Sequence, residues 1–276
     1  ANTTAILACA VLAIALHNLI DFAIFEPGVL TTFWATIACL VAMNSQTNPR
    51  PQVVLKSAPV SRALAVAAAL AISAAYLSYV LVPVGKATAR TQWANQAIAT
   101  GQFEYAHQFL ERGARDDPLS ATALAFNGRL YLHRVGLIPE KNRELLLAAA
   151  DCLQAAIERN GQAFKNFERL TQVYGLLAET STPQEKIDWL NKALDTASQA
   201  VERYPGCGRL HFKLARIAEQ ADKTDVAIEH YNKAIEIEDA YRDQFRQIYP
   251  ERKEVVSRLG EEKYNLAKDK LKALSK

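Results

Sequence analysis

The stretch from Ala63 to Val84, ALAVAAALAISAAYLSYVLVPV, limits what this chain can fold into more than any other, because no charge falls between Arg62 and Lys86. As a helix rising 1.5 Å per residue it covers roughly 33 Å, enough to cross the hydrocarbon core of a bilayer. The only charged side chains before it are Asp21, Glu26, Arg50, Lys56 and Arg62, whereas the chain beyond it is charged and Ala-rich throughout. The sequence therefore divides into an apolar part, residues 1–84, and a solvated part, residues 85–276. A formal net charge of +3 over 276 residues argues against a dedicated nucleic-acid surface, which shows a clear basic excess.

Within the first part, Thr3–Ile20 and Val29–Met43 are further apolar runs, separated by HNLIDFAIFEPG. Pro27 followed by Gly28 ends one helix and suits the start of the next. The simplest reading is three transmembrane helices, at about 3–25, 28–43 and 63–84; a buried helical hairpin in a soluble protein is the competing one. Residues 44–62 hold Arg50, Lys56 and Arg62 and no acid, so the positive-inside rule places that loop in the cytoplasm. The third span then carries residues 85–276 outward, into a bacterial periplasm. His17 and Asp21 stand one helical turn apart and are expensive near hydrocarbon, so they form either a catalytic pair or a mutually satisfied pair at headgroup level. The opening ANTTAILACAVLAIAL lacks the basic flank of a secretory signal, and reads as the C-terminal portion of a longer membrane protein.

The segment ALHNLIDFAIFEPGVLTTFWATIACLVA resembles the late transmembrane region of the O-antigen ligase and polymerase family, where a His-(Ser/Asn)-Leu-(Val/Ile)-Asp-Phe segment precedes a Pro-containing turn. The resemblance implies an inner-membrane parent that moves glycan from a polyprenyl diphosphate carrier to an acceptor, with His17 and Asp21 as candidate catalytic residues. The family's essential arginines lie in earlier loops that this chain does not contain, so the chain alone is expected to be inactive.

From Lys86 onward, apolar residues recur at i, i+3, i+4 and i+7 with breaks at short polar turns, which predicts an all-α domain. In ATGQFEYAHQFLERGARDDP the residues Gly101, Phe103, Ala106, Leu110, Gly113 and Pro118, continued by Leu124, Gly128 and Tyr131, resemble the tetratricopeptide (TPR) motif in register. The expected architecture is a TPR-like α-solenoid of about four helix pairs. A second unit spans Ala121–Gln162, a third Ala163–Cys207, and a fourth of standard length carries Leu214, Ala227, Tyr231 and Ala234. A capping helix over Glu251–Leu274 covers the last repeat, as terminal caps do in solenoids.

Carrying over the motif's groove positions puts Arg129, His133, Lys165, Arg209, Phe212 and Arg216 on the concave face. A basic groove with one aromatic suits an acidic peptide or an anionic glycan, because arginine pairs bidentately with carboxylates; a solvated face that binds nothing specific is the alternative. No phosphate-binding glycine loop, His-Glu-x-x-His or paired-cysteine motif occurs, and neither metal nor cofactor is expected. His107, His211 and His230 read as packing or surface histidines. Two functions follow: the membrane and TPR portion of a glycan ligase that recruits a protein or glycan partner, or a membrane-anchored TPR scaffold without chemistry. Both have membrane lipid as a partner.

Overall fold

A computed structural model describes residues 2–21, 27–47, 59–252 and 254–274. These fall into two compact units, Ala1–Leu70 and Ala71–Lys276. In the first unit, α1 (Asn2–Asp21) packs against α2 (Pro27–Thr47), with Pro27 opening α2 as its fixed φ favours. The expected turn at 22–26 and the greater part of the basic loop 44–62 lie outside the described residues. So do the side chains of His17 and Asp21, whose backbone forms the last turns of α1.

The chain continues through α3 (Pro59–Tyr76), a π-helical turn (Leu77–Leu81) and α4 (Val82–Ala99). Among the described residues Ala63–Ala99 is the one helix long and apolar enough to cross a membrane; Ala5–Leu16 and Thr31–Met43 are shorter apolar helices. The expectation of three spans thus rests on the sequence for two of them. Residues 63–80 are exposed throughout. The π turn has a local cause. Pro83 has no N–H to give to the carbonyl a turn earlier, and the helix widens there, with Val82 N–H bonded to Leu77 O.

The second unit is four antiparallel helix pairs and a cap. α4 pairs with α5 (Phe103–Asp116), α6 (Thr122–Arg134) with α7 (Asn142–Arg159), α8 (Phe164–Glu179) with α9 (Pro183–Arg203), and α10 (Gly208–Gln220) with α11 (Thr224–Ile248). Two of the turns within pairs share one device. After α4, Gly101 takes φ +73°, and the N–H groups of Gly101 and Gln102 close onto Ile98 O and Ala97 O. After α10, Asp222 takes φ 56°, with Asp222 and Lys223 closing onto Glu219 O and Ala218 O. Both are Schellman closures that satisfy the last carbonyls of the first helix. α9 starts on a capping box in which Thr182 and Glu185 bond reciprocally ahead of Pro183.

Small residues set the close approaches. A Cβ at Gly128 would lie 2.7 Å from Leu153 Cγ, so the α6–α7 crossing requires a residue without a side chain. The interior is built from Leu146, Leu153, Leu170, Val173 and Leu177 at the centre and from Phe212, Ala227, Tyr231, Leu259 and Ala267 at the C-terminal end. Each such leucine contributes roughly 1.5–3 kcal/mol on burial.

Two sequence expectations change at this end. The fourth pair is not of standard length, because α11 runs to Ile248: nothing between Glu238 and Pro250 breaks a helix. The cap is also shorter than Glu251–Leu274. α12 spans Glu261–Leu274 and follows a non-helical segment closed by Gly260 at φ +91°.

Candidate functional site

The first helices of the last three pairs, α6, α8 and α10, carry the cationic side chains singled out in the sequence. Arg129 is exposed on α6 with its guanidinium over the Phe126 ring at 4.9 Å, and His133 is exposed one turn further on. Lys165 is exposed near the start of α8. One turn beyond it stands Arg169, half-buried, whose affinity for its proton is lowered by burial and by the charge of Arg129, while the Glu168 carboxylate opposes this and Arg209 adds the smallest contribution. Arg129, Arg169 and Arg209 stand on three successive first helices, with Arg169 close enough to feel the charge of the other two.

Arg209 is tied down. Its Nε and Nη2 donate to the two carboxylate oxygens of Glu168 at 3.1 and 3.2 Å, and Lys213 Nζ lies 2.8 Å from the same carboxylate. Glu168 is only 9% exposed, so this fork and its ammonium partner hold α10 to α8 and compensate a charge that burial would otherwise penalise. Two cations meet one anion there, which leaves the face positive. Arg129, Arg169 and Arg216 make no ion pair among the described residues.

Beside this row a cleft of about 300 Å³ opens between α8 and α10. Its wall is apolar at Gly175, Leu176 and Ile217 and polar at Gln172, Lys213 and Arg216, with one carboxylate, Glu179, at its edge. A Cβ at Gly175 would touch Ile217 Cδ1 at 3.5 Å, so the absent side chain contributes to the opening.

Phe212 does not belong to this face. It is 3% exposed and packs edge-on against Tyr231 of α11 at 5.8 Å. The exposed stripe of α10 is Arg209, Lys213, Arg216 and Gln220, one helical row, and Phe212 stands off it on the covered side. Arg169, Lys213 and the cleft were missed in the sequence, although Arg169 and Lys213 stand one turn from Lys165 and Arg209.

The histidines serve packing. His107 Nδ1 donates to Asn127 Oδ1 at 2.6 Å, and the ring stacks on Tyr131 at 3.8 Å. His211 Nε2 donates to Pro205 O at 2.9 Å, which leaves its Nδ1 free to accept from His230 Nδ1 at 3.0 Å and ties α10 to α11. Burial lowers the proton affinity of both rings. Lys233 lowers that of His211 further while Pro205 O, Glu229 and Glu236 oppose; for His230 the neighbouring His211 lowers it and Glu229 opposes.

The sign of the pH effect follows. With the folded-state value depressed below about 6.5, the unfolded chain binds more protons, so this stability is present above that pH and is lost as pH falls below it. The urea midpoint is expected to drop between pH 7 and 5, and His211→Gln/His230→Gln to flatten that dependence. An unchanged slope in the double variant would remove the pair as its cause.

All four cysteines are free, and Cys152 and Cys207 form no disulfide. Burial pushes the Cys152 thiol up to about 11, which makes it inert near neutrality. Among the described residues no group of three or more His, Cys, Asp or Glu is placed to hold a metal ion.

Helix pairs with this connectivity and these turn devices define an all-α, TPR-like helical repeat. No protein-family model and no curated protein matches the chain. Several solved structures of helical-repeat proteins align with the chain. A crystal structure of MamA protein is 18% identical and aligns over 68% of this chain and 90% of its own, with a TM-score of 0.46. TTC0263, a thermophilic TPR protein of Thermus thermophilus, is 17% identical over 68% of this chain and 91% of its own, with a TM-score of 0.43. The first TPR of Spaghetti (RPAP3), bound to the HSP90 peptide SRMEEVD, is 14% identical over 50% of this chain and 96% of its own, with a TM-score of 0.38. At such identities the likeness concerns the fold alone.

Proposed function

We propose that the chain is a membrane-anchored TPR-like scaffold, in which the apolar helix Ala63–Val84 holds the repeats at a lipid surface and the face of α6, α8 and α10 takes an acidic peptide segment. The observation that carries the binding half is the row of arginines that form no ion pair among the described residues, Arg129, Arg169 and Arg216, beside a cleft with an apolar wall. Carboxylates of an extended partner would meet the arginines while one apolar side chain enters the cleft at Gly175 and Ile217. The charge of loop 44–62 supports an orientation with the repeats outside the cytoplasm, on the outer face of a bacterial inner membrane. The ligase resemblance of residues 15–42 carries no weight in this reading, since no family model matches the chain.

Selection from a displayed random-peptide library tests the groove. Recovered peptides should be rich in Asp and Glu around one large apolar residue. The variant Arg129→Ala/Arg169→Ala/Arg216→Ala should bind them about tenfold more weakly, as three partly exposed ion contacts predict, while Glu168 keeps its partners. Recovered peptides without acidic enrichment, or unaltered affinity in the variant, would remove the groove from the function.

A further inference from the structure

The turn between α5 and α6 carries Leu119, which at 87% accessibility is the most exposed large apolar side chain among the described residues. It does not project alone. With Pro118 it lines a hollow of about 450 Å³ whose other wall is Tyr79, Val80, Pro83 and Val84, the last turns of the apolar run. A single exposed leucine on a loop is ordinary, but a leucine continuous with a long apolar helix extends that helix's surface.

The turn is also built so that its polar groups need little water. Asp117 Oδ1 accepts from the N–H groups of Leu119 and Ser120, both at 3.2 Å. From the other side, Arg159 Nη1 donates to three carbonyls of the turn, Ala114 O at 3.0 Å, Asp117 O at 3.2 Å and Ser120 O at 3.0 Å. Backbone groups bonded within the protein are the condition for a surface to enter a poorly hydrated medium. The turn thus has its Leu119 and Ser120 N–H groups and its Ala114, Asp117 and Ser120 carbonyls bonded within the protein, with an apolar tip.

We propose that the Pro118–Leu119 turn is a second lipid contact, seated in the interfacial layer beside the C-terminal end of the apolar run and fixing the repeats against the membrane. The proposal rests on the membrane-anchor reading. Lipid is the occupant, and not a protein groove, because residues 63–80 are exposed and apolar around the whole helix, whereas a helix that docks on protein is apolar along one stripe. Tyr76 and Tyr79, 55% and 80% exposed, are the amphipathic rings that collect at headgroup level, and Lys86 follows where an ammonium reaches water. Leu119, set against Tyr79 and Val80, is thereby held at that same level.

The test uses the full chain in vesicles, with Cys9, Cys39, Cys152 and Cys207 changed to serine and one environment-sensitive fluorophore attached at Ile72→Cys, Leu119→Cys or Leu137→Cys in turn. Leu137 is the control, a 60% exposed leucine in the α6–α7 turn at the opposite end of α6. Helical content by circular dichroism establishes that each variant is folded. The Leu119 label is expected to lose about half its emission with lipids brominated near the headgroup, the Ile72 label to be quenched by deeply brominated lipids, and the Leu137 label to be unaffected. If the Ile72 label is quenched while the Leu119 label is as unaffected as that at Leu137, the second contact is refuted and the anchor stands. If the Ile72 label is not quenched, the anchor reading falls and takes this inference with it.

Discussion

Glu238→Ala is expected to lower the unfolding free energy by about 3–5 kcal/mol, the range for removing one partner of a buried ion pair. Glu238 is 2% exposed; one carboxylate oxygen accepts from the Leu259 N–H at 2.9 Å and the other from Arg242 Nε at 2.9 Å. Arg242 also bonds Glu261 at 2.7 Å and lies over the Tyr264 ring at 4.3 Å. This one carboxylate therefore holds α11, the segment before α12 and, through Arg242, the cap itself. Its removal strands a buried N–H and half the partners of a mostly buried guanidinium. The loss should be local first, with hydrogen exchange accelerating in α12 and the second half of α11 and unchanged in α6. Glu238→Gln, which keeps an acceptor, should lose less. A loss in Glu238→Ala under about 1 kcal/mol, no more than one ordinary hydrogen bond, would show that Glu238 does not hold the cap and leave that role to apolar packing and to the Tyr264–Asp239 and Lys270–Glu219 contacts.

Arg159→Ala carries the second-largest expectation, about 3 kcal/mol, since one guanidinium satisfies three carbonyls of the α5–α6 turn from the last turn of α7. A similar contact recurs one repeat later, where Arg203 donates to Gly161 O and to Gln199 O and its guanidinium lies over the Phe167 ring at 4.0 Å. The position thus links α7 and α9 each to the turn that precedes its own pair. Arg159→Lys keeps the charge but not the planar fork and should recover only part of the loss. Urea unfolding measures the difference, and faster amide exchange in residues 114–122 locates it. Equal midpoints for wild type and Arg159→Ala would mean that water replaces the guanidinium without penalty.

The pairs were legible because their signals are local: Gly101 ahead of Phe103, and Ala106, Gly113 and Gly128 where helices approach closely. The far end of the fourth pair was not. The extent of α11 depends on what its second half touches, and Glu238 reads as ordinary surface acid until Leu259 and Arg242 fold back onto it. The groove was half legible. Arg129 and Arg209 follow from their place on the first helices, but a motif position does not say which way a ring turns. Carrying over the motif's groove positions puts Phe212 on the face, yet α10 is covered along Leu210, His211, Phe212, Leu214 and Ala215, and only the row through Arg209, Lys213 and Arg216 remains open. The Glu168 fork needs two helices and is invisible to any reading of one.

The π turn at Leu77–Leu81 has a consequence for the angular phase of the two stretches flanking it. It places one extra residue in the helix, which offsets the angular phase of everything before it by about 100°. The packing face of α4 is fixed by Ala94 and Ala97, both buried against the first repeat. Upstream of the offset the phase continues, rotated by that fixed angle, along a stretch exposed at residues 63–80. A single-residue length change ahead of Leu77 would turn that stretch by a further ~100° and leave the buried face of α4 in place.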